Sequence, residues 1–172
     1  MPLPQCDRAL KLAAVGPRGL TEGGKAMKLA VLAAVTGFAV AGVASAEGYD
    51  PIETRQAGQD LVAADFVGIR AVVNAKGDVK AVANPAKAIA RWIRQFPTQF
   101  PKGSEQGHDT RARPEICTNF ADFQQRANDL ADAADKLAQL ANAGDAEGVV
   151  TQLNVVRDAC AACHRTYRSG PY

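Results

Sequence analysis

Methionine is nearly missing from this 172-residue chain: Met1 and Met27 are the only two, so no residue beyond position 27 can offer a thioether to a metal ion. Histidine is as scarce, found only at His108 and His164. Aromatic residues make up 6% although 47% of the chain is hydrophobic, and alanine is abundant. That imbalance favours closely packed helices, because alanine is the best helix former and leaves room for close approach. No convincing strand, internal repeat or low-complexity tail is present. The apolar stretch from Leu29 to Val43 falls short of the roughly 20 residues a spanning helix needs. At this length one domain fits comfortably and two do not.

The apolar stretch reads instead as part of a leader. Met27-Lys28 begins a short basic segment, Leu29 to Val43 forms the apolar core, and Ala44-Ser45-Ala46 fits a small-residue cleavage site. An uncleaved anchor is the alternative. Residues 1–26 resemble neither signal nor domain, which makes Met27 a candidate start and 1–26 a non-native extension. On this reading 27–46 is a signal peptide cut after Ala46, 47–172 is the exported domain, and the mature protein resides in the periplasm. Residues 1–46, if retained, are expected as an isolated helix. Removing them turns the net charge from +2 to −1, with fifteen basic and sixteen acidic residues left. That balance argues against nucleic-acid binding, which needs a concentrated basic footprint.

The exported part reads as four helices. Helix one starts at Asp50-Pro51-Ile52-Glu53, with Asp50 as N-cap, Pro51 where its missing N–H costs nothing, and Glu53 at the third helical position. It is predicted to run to about Asn74, with Ile52, Arg55, Gln59, Val62, Phe66, Ile69 and Val73 on its inner face. Helix two starts at Asn84-Pro85 and ends at Phe96, before Pro97. A loop rich in Pro and Gly spans Pro97 to Arg113. Helix three starts near Pro114 and aligns Ile116, Phe120, Phe123, Leu130, Leu137 and Ala141. Gly144-Asp145 ends it and caps helix four, which carries Val149, Leu153, Val156, Cys160, Cys163 and Tyr167 inward. Four amphipathic helices with short connections predict an all-α fold, an antiparallel four-helix bundle.

Near the end of helix four lies Cys160-Ala161-Ala162-Cys163-His164. Residues at i, i+3 and i+4 share a helix face, so two thiols and an imidazole point the same way. Two such thiols can add to the vinyl groups on one edge of a haem while the imidazole ligates the iron. Small Ala161 and Ala162 leave space for the porphyrin edge. This is the attachment signature of haem c. A thioredoxin-like dithiol would sit at a helix N-terminus, where the dipole stabilises a thiolate, and no βαβ pattern surrounds this one. A zinc site would have to recruit Cys117 and His108. A disulfide between Cys160 and Cys163 is awkward within one helical turn.

With this motif at the C-terminal end of a four-helix bundle, residues 48–170 resemble the class II cytochromes c, the cytochrome c′ and c556 group. Thr54-Arg55-Gln56, Phe100-Pro101-Lys102-Gly103-Ser104-Glu105, Arg113-Pro114-Glu115-Ile116 and Cys160 to Arg168 carry the resemblance. It implies one covalent haem c, with Arg55 and Gln56 approaching the propionates and Arg168 near the proximal His164. It also implies a homodimer through helices one and two. In c556 proteins a methionine four residues after the arginine is the sixth ligand, and in c′ proteins that place is apolar. Here it holds Gln59, which matches neither pattern. Gln59, with Phe66 beyond it, is therefore placed among the haem-binding residues.

The lack of methionine after residue 27 excludes a Met-ligated iron. Of the alternatives, His108 reads as a surface loop residue, and lysine would have to lose a proton to ligate. The expectation is thus an open or water-occupied sixth position with Gln59 as a polar distal group, able to favour bound O₂, water or NO. Cys117, left over in the exported part, is read as a small buried core residue, with an intermolecular disulfide in an oxidising compartment as the alternative. Function reads first as binding of NO and CO and second as single-electron carriage, with no catalytic acid–base pair to suggest an enzyme. A low-spin, c556-like electron carrier with a non-Met sixth ligand is the alternative.

Overall fold

In the computed structural model, which describes residues 48–104 and 106–170, Asp50 begins helix α1 (Pro51–Asn74) as the sequence predicts. Its Oδ1 accepts hydrogen bonds from the N–H groups of Ile52 at 2.7 Å and Glu53 at 3.1 Å. These are two of the four donors a helix start leaves unpaired. The leader expectations for residues 1–46 lie outside the described residues.

Helix α2 (Ala83–Gln95) starts differently from the Asn84-Pro85 signal. A 3₁₀ turn, Val79–Val82, runs straight into it, and the capping oxygen is that of Asp78, which accepts from the Lys80 N–H at 2.9 Å. Asn84 therefore has no cap to supply, and Pro85 sits harmlessly within the first turn. After Gln95 the chain tightens into a second 3₁₀ turn, Phe96–Gln99, so the predicted loop is ordered at its start.

Helix three is broken near its start. A single turn, Glu115–Thr118, precedes a corner at Asn119 (φ −125°, ψ 42°), and helix α3 occupies Phe120–Ala143. Gly144 ends α3 in the left-handed conformation at φ 74°, which costs glycine little. Asp145 then caps helix α4 (Ala146–Tyr167) by accepting from the Gly148 N–H at 2.9 Å. No strand occurs among the described residues; an isolated bridge, Ala112 to Arg168, ties the long loop to the end of α4.

The four helices share a core of small residues and branched aliphatics, including Ile69, Ala86, Ile89, Ala131, Ala134, Leu137, Val149 and Val156. A second cluster of Phe100, Ile116, Phe123 and Tyr167 fills the end of the bundle near the C-terminus. Gly58 permits the closest approach of α1 and α2: a Cβ there would fall 1.9 Å from Cζ2 of Trp92. α2 and α3 pack together most extensively, whereas α1 and α4 barely meet. That gap positions the site.

Cys117 departs from its predicted role: it is half-buried and disulfide-bonded, not a buried free thiol. His108 is exposed, as expected of a loop residue.

Candidate haem site

A cavity of about 680 Å³ lies between α1 and α4. Its α1 wall is Arg55, Gln56, Gln59, Asp60, Val62, Ala63 and Phe66, and its α4 wall is Arg157, Cys160, Cys163, His164, Tyr167 and Arg168. Every residue singled out as a cofactor contact in the sequence therefore lines one space. Gln59, Phe66, Cys160 and Cys163, expected on the inner faces, are half-buried because they border this cavity. Aromatic rings close one end. Phe96 stacks edge-on against Phe100 at 5.2 Å, Phe100 against Phe123 at 5.1 Å, and Phe123 against Tyr167 at 5.2 Å.

Arg55 and Gln56 on α1 serve the loop as well as the cavity. Arg55 is 3% exposed and donates to Gln99 O (3.2 Å), Ser104 Oγ (3.1 Å), Ser104 O (2.7 Å) and Thr110 Oγ1 (2.8 Å). Its guanidinium also lies 4.5 Å from the Phe100 ring centroid, so this buried charge is both hydrogen-bonded and stacked. Gln56 donates to the His108 carbonyl at 2.8 Å. Both residues thus hold the 99–110 segment against the edge of the cavity. His108 itself turns away from the cavity, with Nε2 3.1 Å from Asp50 Oδ2 and Nδ1 3.6 Å from Glu53 Oε1.

Several contributors escaped the sequence reading. Arg126 lines the cavity from α3, reaches Asp122 Oδ2 at 2.7 Å, and donates to the carbonyl of Ala162 at 3.2 Å. The Tyr167 hydroxyl donates to the same Asp122 oxygen at 2.5 Å. This trio clamps the Cys160–His164 segment to α3. Burial and the bond to Asp122 push the Tyr167 hydroxyl up to about 12. The Arg126 and Tyr167 bonds hold Asp122 below the ordinary carboxylate value. Arg111 completes the rim, with Nε donating to Ser169 O at 2.9 Å. An i, i+4 pair such as Asp122 and Arg126 is visible in a sequence, but its target on α4 is not.

The chemistry of the donor set is specific. Cys160 and Cys163 are both free thiols, each pushed up to about 11 by burial. A thiol raised in this way is protonated at neutral pH, the opposite of a redox-active dithiol. Burial, followed by the charges of Arg168 and Arg111, lowers the His164 pKa, leaving the neutral imidazole that can bind a metal. Among the described residues, the one grouping of three or more His, Cys, Asp or Glu close enough to hold a metal ion is Asp50, Glu53 and His108. The two further ligands that a zinc site at Cys160 and Cys163 would have to recruit are engaged elsewhere, Cys117 in a disulfide and His108 beside Asp50 and Glu53. The cavity is of cofactor size, mostly apolar, and edged by arginines suited to carboxylates. These features fit a haem joined through two thioethers.

The family described as cytochrome C' matches residues 50–168. The chain belongs to the cytochrome c′ family. The cytochrome c′ of Allochromatium vinosum is 33% identical over 157 residues, covering 83% of this chain and 99% of that one. A cytochrome c-556 of Agrobacterium tumefaciens is 41% identical over 92 residues, covering 53% of this chain and 72% of the relative. The crystal structure of cytochrome c′ from Thermochromatium tepidum superposes with a TM-score of 0.66 at 32% identity, over 70% of this chain and 95% of that one. The nitric oxide complex of a cytochrome c′ variant from Alcaligenes xylosoxidans superposes at 0.64 with 28% identity, over 71% and 95%. The chain is therefore a haem c cytochrome of the c′ type, an all-α four-helix bundle carrying one covalently attached haem c.

Proposed function

We propose that this cytochrome c′ is an exported protein whose haem iron is held by His164 and open on the opposite side, where it binds NO and CO and exchanges single electrons. Cys160 and Cys163 form the thioethers. Haem c supplies the iron at which a gas or an electron is taken up. His164 provides its neutral nitrogen. Arg126, by holding the Ala162 carbonyl, keeps the attachment turn in place. Arg55, Arg111 and Arg168 offer positive charge to the propionates and Gln56 a neutral amide, while Arg55 and Gln56 also fasten the loop that covers this edge.

One observation carries the open-site reading. Among the described residues lining the cavity, the imidazole and thiol groups are those of His164, Cys160 and Cys163, with no lysine or methionine. His108, the other histidine, lies outside that lining, with its ring nitrogens 3.1 Å from Asp50 Oδ2 and 3.6 Å from Glu53 Oε1. Export rests on the leader at 27–46 and places the protein in the periplasm. For a homodimer through α1 and α2, the outward apolar residues Leu61 and Val67 of α1, 69% and 63% exposed, give support on the α1 side.

The second reading, a low-spin electron carrier with a non-Met sixth ligand, is favoured by the likeness to cytochrome c-556. Absorption spectra of the ferrous protein with and without CO separate the two. The open site gives a high-spin spectrum that CO converts, and the second reading gives a low-spin spectrum that CO leaves unchanged.

A further inference from the structure

Tyr167 follows His164 by one turn of α4, so the two share a helix face. Its ring lines the haem cavity, is 3% exposed, and belongs to the aromatic cluster against which Cys163 packs. The hydroxyl donates to Asp122 Oδ2 at 2.5 Å, the length of a hydrogen bond to a charged acceptor. Arg126, 2.7 Å from the same oxygen, keeps that carboxylate ionised. The Asp122 side chain is 51% exposed, so a proton it accepts can pass on to water. Other oxidisable rings are held differently. Tyr49 is 65% exposed, lies outside the cavity lining, and donates to the neutral amide of Gln99. Trp92 has its Nε1 buried with no acceptor among the described residues. A buried phenol gives up an electron readily only if its proton leaves too, because a bare positive charge is costly in apolar surroundings. Tyr167 has the acceptor that this requires.

We propose that Tyr167 is a redox-active side chain that, together with the haem, reduces hydrogen peroxide arriving at the open side, its phenolic proton passing to Asp122. The proposal rests on the open-site reading above. Peroxide needs two electrons, and a ferrous haem supplies one as it becomes ferric. Tyr167 supplies the other: its O–H bond breaks, the electron leaves toward the haem and the proton goes to Asp122 Oδ2. The O–O bond of the peroxide breaks, and two protons from solvent complete two waters. Asp122 then returns its proton to solvent, so one proton is consumed overall. The products are two waters, ferric haem and a neutral tyrosyl radical shielded by Phe123, whose ring centroid lies 5.2 Å from that of Tyr167.

The test mixes anaerobic ferrous holoprotein with a stoichiometric amount of hydrogen peroxide and freezes it rapidly for electron paramagnetic resonance. The parent, Tyr167→Phe, Tyr49→Phe and Asp122→Asn are compared, with ring-deuterated tyrosine to identify the signal. The parent and Tyr49→Phe are expected to give a tyrosyl radical that Tyr167→Phe lacks. Asp122→Asn leaves the phenol in place but exchanges a charged acceptor for a neutral one, so the radical should form about tenfold more slowly. This variant also decides the matter if Tyr167→Phe fails to hold its haem. A radical undiminished in Tyr167→Phe, or formed equally fast in the parent and Asp122→Asn, would overturn the role of Tyr167. CO uptake by the same ferrous samples reports the open site separately. A parent that binds CO yet gives no tyrosyl signal would overturn the role of Tyr167 and leave the open site intact, and one that takes up no CO would overturn both.

Discussion

Replacing Gly58 by alanine tests whether α1 and α2 meet as closely as the structure shows. The added Cβ would lie 1.9 Å from Cζ2, 2.1 Å from Cε2 and 2.6 Å from Cη2 of Trp92. Ordinary carbon contacts are about 3.5–4.0 Å, so the indole must retreat by roughly 2 Å or the helices must part. Trp92 is backed by Phe96 at a centroid distance of 6.4 Å, which limits that retreat. Alanine in place of glycine would by itself favour the helix by about 1 kcal/mol. Overpacking of a filled core costs about 1–3 kcal/mol and occasionally more, and a shift this large belongs at the upper end. The expected net loss is about 2 kcal/mol, or a midpoint lower by roughly 5–10 °C. Thermal and urea unfolding of the holoprotein, followed by circular dichroism, measures it. The double variant Gly58→Ala, Trp92→Leu should recover most of the loss, because the clash is with the ring. A Gly58→Ala protein as stable as its parent would refute the packing argument.

Other perturbations address the site and its supports. Tyr167→Phe removes the bond to Asp122 from a buried ring and should cost about 1 kcal/mol in urea unfolding, leaving haem content unchanged. Asp50 and Asp122 both lie below their ordinary value of 3.8, Asp50 chiefly through the Glu53 N–H and Asp122 chiefly through Arg126. Their stabilisation is complete above 3.8 and is lost as the pH falls through the depressed native values, so Asp50→Asn and Asp122→Asn should flatten the acid side of the stability profile. Replacing both Cys160 and Cys163 by serine should abolish haem that survives denaturing electrophoresis. His164→Ala should retain the covalent haem and change its spectrum.

Much of the bundle was legible because each helix carries its own signals. Asp50-Pro51 and Gly144-Asp145 mark ends through local hydrogen bonds, and a 3.6-residue period marks each buried face. The start of α2 was misplaced because Asp78 caps a 3₁₀ turn ahead of it, and Asn84 looked like a cap in isolation. The corner at Asn119 was missed because Ile116 and Phe120 keep helical spacing across it. At the site, Cys160, Cys163 and His164 announce themselves by spacing, and Arg55, Gln56, Gln59, Phe66 and Arg168 line the same cavity. Arg111 and Arg126 gave no signal, since their places depend on contacts between segments far apart in sequence. Arg55 looked like a cofactor contact, yet its bonds to Ser104 and Thr110 give it a second role in fixing the loop.

The most direct test of the open site is the absorption spectrum of the purified ferrous protein before and after CO. The account predicts a high-spin, His164-ligated haem that shifts fully to a CO-bound spectrum, with the same result in His108→Ala. A low-spin spectrum that CO does not alter would contradict it.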